Sequence, residues 1–270
     1  MRSELLAAAL MWLAGGSVFE SRAQSLESAS LSPDVTVRLD GLVFADDDIA
    51  VDNLLGLTVP TSVGSLPESA AVTAYYNLGG GEHLFALDIT AELAGPVTVY
   101  PADVVRYDGG TYTIEFDSAA EGVPAGARVD AVSRTGGDLL FSFDTTVNLG
   151  GVVAADEDVV QWNGASFSLA LDSSAAGIDP ALDLDAVDDA GGGQFWVSFD
   201  GHGNLGGQTF ADEDVLLLDP TGPSLVAYDG SAQDSDWVGA DLEAVYLPEP
   251  GVGGLLVGLG LLLGLPTRRS

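Results

Sequence analysis

Between residues 35 and 246 the chain is written in short apolar runs separated by clusters of Gly, Asp, Asn and Pro. Leu139–Asp144 (LLFSFD), Asp158–Asn163 (DVVQWN) and Phe167–Asp172 (FSLALD) are typical, each rich in β-branched or aromatic residues or leucine and closing on a polar one. Such runs suit a pleated, half-buried surface, and their length and boundaries predict β-strands. Asn163-Gly164 joins the last two as a tight hairpin, because both residues tolerate the positive φ of a primed turn. Asp108-Gly109-Gly110 and Asp219-Pro220-Thr221-Gly222 stand at equivalent places.

The runs recur. Those ending on Asp88, Asp144 and Asp200 are spaced 56 residues apart, and the aspartates opening the next run, Asp48, Asp103, Asp158 and Asp214, are spaced 55, 55 and 56. Four units of nearly constant period mark a repeat architecture. Units two to four each supply four strands; in unit three Val129–Arg134 precedes the three runs above. Unit one opens at what would be its second strand, Val35–Asp40, and continues through Asp48–Asp52 and Leu54–Val59. Its missing first strand is matched by a surplus one near the other end, Asp241–Tyr246 (DLEAVY). A closed ring with one blade shared between the termini uses both fragments and protects the sheet edges. The predicted fold is therefore all-β, a four-bladed β-propeller of roughly 55-residue, four-stranded repeats over 35–246, with 24–34 as a linker. Two β-sandwich domains of two repeats each are the alternative.

Blade number and repeat length resemble the hemopexin-like domain. So do the starts of the innermost strands, Asp130-Ala131-Val132 and Asp185-Ala186-Val187, with Glu243-Ala244-Val245 as a variant and Ala70-Ala71-Val72 in the second unit. That family's basic and aromatic blade pattern and its terminal disulfide are missing, so the resemblance implies architecture without an inherited role. It also implies an axial channel in which an ion can sit.

Both ends read as addresses. Met1-Arg2, the apolar run Leu5–Ala14 and the small residues leading to Ala23 have the layout of a secretory signal peptide over 1–23, cut after Ala23. Residues 247–270 hold Pro248-Glu249-Pro250, an apolar span over 251–266 and the basic tip Arg268-Arg269. This order resembles the PEP-CTERM sorting signal of Gram-negative bacteria. The resemblance implies export across the inner membrane, anchoring there by the C-terminal span, and processing of the tail by an exosortase. It further implies a place at the cell surface or in the matrix, with exopolysaccharide, biofilm or other surface proteins as company.

Composition narrows the chemistry. Forty-one acidic residues face eight basic ones, all arginine, for a net charge of −33. A field of that sign excludes binding nucleic acid by neutralising phosphates. The absence of cysteine removes disulfides, thiolate zinc sites and thiol nucleophiles. Residues 24–247 keep four of the arginines and thirty-eight of the acids, so the acidity belongs to the body and not to the addresses.

The acids recur before each third strand, as Asp46-Asp47-Asp48, Asp103, Asp156-Glu157-Asp158 and Asp212-Glu213-Asp214. Aspartates at such corners cap turns by accepting from nearby amides. Alternatively Asp46, Asp48, Asp103, Asp156, Asp158, Asp212 and Asp214 offer the oxygens that calcium takes. A second set, Asp130, Asp185 and Glu243, with Asp183 and Asp241 two residues before the last two, falls on innermost strands. Side chains there alternate in direction, and one alternate set lines the channel or bonds neighbouring amides.

Catalysis has less support. His83 and His202 are the only histidines and have neither triad nor metal spacing. No Asp/Glu pair stands out for glycoside hydrolysis. Trp162, Trp196 and Trp237 are candidate sugar platforms. The expectation is an exported, non-enzymatic surface or matrix protein with calcium as its one candidate ligand ion. The alternative is a carbohydrate-active enzyme using paired carboxylates on one propeller face.

Overall fold

The computed structural model describes residues 28–52 and 58–247. They form four four-stranded antiparallel sheets, each accompanied by a two-stranded hairpin. From the inside outwards, blade two is Val72–Gly79, Glu82–Leu87, Val104–Tyr107 and Tyr112–Phe116. Blade three is Val129–Thr135, Asp138–Phe143, Val159–Trp162 and Phe167–Leu171. Blade four is Leu184–Gly191, Gln194–Phe199, Val215–Leu218 and Leu225–Tyr228. The four inner strands pack beside one another around a single axis, which closes the ring and excludes two separate sandwiches.

Blade one is shared between the two ends, in the order Leu242–Tyr246, Ala29–Pro33, Ile49–Asp52 and Thr58–Thr61. Its closing partner differs from the expected Val35–Asp40. Leu242–Tyr246 pairs with Ala29–Pro33, placing Leu31 opposite Val245 and Ser30 opposite Tyr246. The body thus begins inside the segment read as a linker, and Val37–Leu39 pairs instead with Leu42–Phe44 in the small hairpin. The physical reason is composition: all five residues of Ala29–Pro33 are buried, small Ala and Ser side chains fill that space, and ASLSP carries none of the β-branched or aromatic residues that mark a strand. The outer strand, expected at Leu54–Val59, is Thr58–Thr61. Residues 1–23 with Ala23, and Pro248, Glu249, Pro250, Arg268 and Arg269 with the 251–266 span, lie outside the described residues. Among the described residues no helix is long and apolar enough to cross a membrane.

The core is four wedges, one at each blade–blade interface, and the inner strands build them by the same rule. Ala74 meets Val129 and Val132; Ala131 meets Leu184 and Val187; Ala186 meets Leu242 and Val245; Ala244 meets Val72 and Tyr75. An alanine is needed there because the strands crowd the axis. The blade-two counterpart of Asp130-Ala131-Val132 is accordingly Thr73-Ala74-Tyr75, not Ala70-Ala71-Val72. Each inner strand also slips register near its start, between Val72 and Ala74, Val129 and Ala131, Leu184 and Ala186, and across Glu243. A bulge re-aims the side chain that it carries. Here those side chains are Thr73, Asp130, Asp185 and Glu243.

Antiparallel order sorts the connections onto two faces. Tight turns join inner to second strands on one face; Gly191-Gly192-Gly193 takes φ of 77°, 69° and 84° there, a conformation that leaves glycine as the fitting residue. The hairpins, acidic corners and blade-to-blade crossings all fall on the opposite face. Leu247, where the chain leaves the ring toward Pro248, follows the C-terminal end of an inner strand and so exits on the turn face.

Candidate functional site

The loop face is held by two sets of aspartate staples, each repeated around the ring. At the acidic corners Asp48, Asp103, Asp158 and Asp214 accept through Oδ2 from the amides of Ala45, Tyr100, Ala155 and Ala211 at 2.9, 3.0, 3.0 and 2.9 Å. Three of them reach further through Oδ1, to the amides of Ser118, Ser173 and Gly230 at 2.9, 3.1 and 3.2 Å. These carboxylates, which the sequence offers as turn caps or alternatively as calcium ligands, cap turns here and tie the third strand to the end of the outer one. Asp156 and Asp212 lend main-chain oxygens to the hydroxyls of Ser142 and Ser198 at 3.1 and 3.3 Å, and the Asp46 carbonyl accepts from the Val72 amide of the next blade at 3.1 Å. Among the described residues no three acidic or histidine side chains form a group able to hold a metal ion.

The second set sits nearer the axis. Asp34, Asp88, Asp144 and Asp200 each end a second strand and accept from the amide just before an inner strand: Asp241, Ala71, Arg128 and Asp183, at 2.8, 2.7, 2.7 and 2.8 Å. Sequence spacing exposes three of these aspartates. Asp34, which follows Ala29–Pro33, lies outside that series.

Removing one corner staple has a calculable consequence. Asp103→Ala leaves the Tyr100 and Ser118 amides and the Ser118 hydroxyl, now 2.6 Å from Asp103 Oδ1, without an acceptor in a buried corner. Each orphaned donor costs about 1–3 kcal/mol. A loss of roughly 2–5 kcal/mol in urea unfolding is expected, and a loss below about 1 kcal/mol would contradict the staple's role.

Inside the staples lies an acidic mouth. Asp130, Asp185 and Glu243, aimed by the bulges, each keep one buried oxygen without a hydrogen-bond partner. Blade two departs from the pattern: its Thr73 Oγ1 donates to the Val129 carbonyl at 2.7 Å. Burial pushes Asp130 and Glu243 up to about 7, against the pull of Arg128. Asp183 and Asp241 rise to about 7 for the same reason, reinforced by neighbouring carboxylates. Asp185, surrounded by Asp241, Asp183, Asp130 and Asp200, is raised by burial well above the ordinary carboxylate range. The three orphaned oxygens suit a cation in charge, yet they do not converge on one point tightly enough to coordinate it.

Arg128 is the cation paired with this mouth. Its Nε donates to Asp130 Oδ1 at 2.9 Å and lies 4.0 Å from Asp144 Oδ2. Beside it, between blades two and three, opens a cleft of about 460 Å³ bounded by Asp88, Tyr100, Ala102, Ala127, Arg128 and Asp144. Nothing in the periodicity pointed to this cleft.

The remaining candidates are structural. His83, expected at a turn or edge, is buried with Nδ1 2.9 Å from the Tyr75 hydroxyl, and burial lowers its pKa. Trp196 and Trp237 are core residues between blades four and one. Trp162 packs edge-on against Phe116 and donates to Glu121 at 3.3 Å, so the three tryptophans form no shared sugar platform.

No known family matches this sequence, and no curated protein does. Solved structures with partial likeness include a protein of unknown function from Bacteroides caccae, at 14% identity and a TM-score of 0.31, with 74% of this chain and 57% of that one covered. Virginiamycin B lyase from Staphylococcus aureus aligns at 9% identity and a TM-score of 0.33, over 74% of this chain and 73% of the lyase. The chain thus spans little more than half the length of the first. Likeness at this level says nothing of what the chain binds or does.

Proposed function

We propose that the chain is an exported surface or matrix protein without catalytic activity, sorted through its Pro248-Glu249-Pro250 tail by an exosortase and meeting exopolysaccharide outside the cell. One observation carries the non-catalytic part: the aspartates that recur from blade to blade hold backbone amides, so the repeat's chemistry serves closure of the ring. Leu247, the last described residue before that tail, ends on the turn face, opposite the acidic loop face. Cations, calcium among them, gather at that face as a screened cloud, because the carboxylates there do not enclose a coordination shell.

Two measurements test this. In a Gram-negative host that carries an exosortase, the full chain should reach the surface or medium shortened at its C-terminus. Replacing Pro248, Glu249 and Pro250 by alanine should hold it in the inner membrane; release of that variant at the normal rate would defeat the sorting reading. Calcium and magnesium at equal millimolar concentration should raise the melting temperature equally. A calcium-specific rise at micromolar concentration would show a built site instead.

A further inference from the structure

We infer that the cleft between blades two and three is a binding site for a neutral hexose unit of a polysaccharide. The inference rests on the reading above only in supposing that the chain meets polysaccharide; the cleft itself follows from comparing the repeats. The segments that cross from one blade to the next align without a gap, Asp117–Arg128 (DSAAEGVPAGAR) against Asp172–Asp183 (DSSAAGIDPALD). Where the later crossing carries Ile178, Ala181 and Leu182, the earlier one carries Val123, Gly126 and Ala127. At the acidic corner, Glu157 and Glu213 are buried in blades three and four at 3% and 4% exposure, and blade two has Ala102. Four positions on the floor of this one cleft are smaller than their counterparts. The space that results, about 460 Å³, lies in the range of small-ligand sites.

The same interface also gains what a sugar needs. Position 100 is a tyrosine with 53% of its surface exposed, where the other blades have Ala45, Ala155 and Ala211. An exposed ring at the rim offers a flat apolar face for a pyranose. Arg128 stands where Asp183, Asp241 and Ala71 stand elsewhere. Its Nε is committed to Asp130, and its two Nη groups have no partner among the described residues. Asp88 and Asp144 each hold a backbone amide through Oδ1, leaving Oδ2 to accept. Vicinal hydroxyls can donate to these carboxylates and accept from the guanidinium, as charge-assisted hydrogen bonds require. The charge balance disfavours an anion, which meets Asp88, Asp144 and a body of thirty-eight acids, and the hydroxyl chemistry above needs no charge on the occupant.

The test titrates the full-length protein calorimetrically with maltohexaose, cellohexaose, mannohexaose and galactohexaose, and with oligogalacturonate as the acidic control. Saturable binding of at least one neutral hexasaccharide is expected. Tyr100→Ala should weaken it about tenfold. Ala102→Glu with Ala127→Leu should abolish it while leaving the melt unchanged, since the next interface already folds with Glu157 and Leu182 at those positions. The proposal is overturned if no neutral hexasaccharide binds, if oligogalacturonate alone binds, or if both variants bind like the parent. Shortened products after incubation would support the sugar site while defeating the non-catalytic reading, so the two fail separately.

Discussion

A chain ending at Ala240 should show no cooperative melt, whereas one ending at Leu247 should melt like the full-length protein. The seven residues between these ends contain the inner strand of blade one, Leu242–Tyr246, which pairs with Ala29–Pro33 and packs on blades two and four at once. Leu242, Val245 and Leu247 are 0%, 3% and 2% exposed. At about 1.5–3 kcal/mol for each buried aliphatic side chain, their loss removes roughly 5–9 kcal/mol. That approaches the whole stability of an ordinary domain, about 5–15 kcal/mol. Truncation also strips the strand partner from Ala29–Pro33 and leaves a ring with two open edges, a template for aggregation. The comparison is a thermal scan by circular dichroism with a sedimentation measurement of each chain. If the shorter chain stays monomeric and melts within a few degrees of the longer one, the ring does not depend on its shared blade.

Stability should fall as pH rises through neutrality, and Asp185→Asn should remove a large part of that fall. Asp130, Asp183, Asp241 and Glu243 titrate near 7 in the folded ring, and burial raises Asp185 well above the ordinary carboxylate range. Unfolded carboxylates titrate near 4. Between those values the folded state binds more protons, so stability is full below about pH 4, declines as pH climbs through 7, and levels off once the mouth is ionised. Facing these groups are Asp34, Asp88, Asp144, Asp156, Asp200 and Asp212, with Arg128 as the cation; the carboxylates add repulsion as the mouth ionises. A melting temperature lower by roughly 5 °C or more at pH 8 than at pH 5.5 is expected, at about 2–4 °C per kcal/mol for a chain of this size. Asp185→Asn keeps the shape of the side chain and cannot ionise, so it should raise the melt at pH 8 and barely move it at pH 5.5. A parent protein that melts higher at pH 8, or a variant that melts lower there, would falsify the buried-mouth account.

Reading the chain by period found what repetition makes visible. The runs ending on Asp88, Asp144 and Asp200 and the corners at Asp48, Asp103, Asp158 and Asp214 marked four units, and the surplus Asp241–Tyr246 marked a shared blade. The same method misplaced the shared blade's second strand. ASLSP at 29–33 is short and buried throughout, with Leu31 as its one large apolar residue, while VTVRLD beside it is β-branched. Small side chains packed close to the axis do not show the β-branched and aromatic composition by which a strand is recognised.

For the site, residue types were legible and roles were not. The corner aspartates read as caps, with calcium ligation as the alternative, because the choice depends on whether amides or other carboxylates face them. The folded chain places amides within 2.9–3.0 Å of all four. Asp130, Asp185 and Glu243 were found as inner-strand acids, but the bulge that turns them to the axis is a property of strand register. The cleft was visible in neither period nor motif. Ala102, Ala127 and Arg128 are unremarked departures from a repeat until two blades are laid side by side.

The sequence by itself determined the class of fold, the number of blades, the sharing of one between the ends, and the sign of the charge. All of these follow from local pattern and composition, which survive without knowing neighbours. Tertiary structure alone decided which strand closes the ring, which carboxylates are tied to amides and which are left buried at the axis, and where a space remains. Those outcomes depend on groups some fifty or two hundred residues apart meeting within a few ångströms, as Asp34 and Asp241 do at 2.8 Å, and one chain's order cannot show that distance.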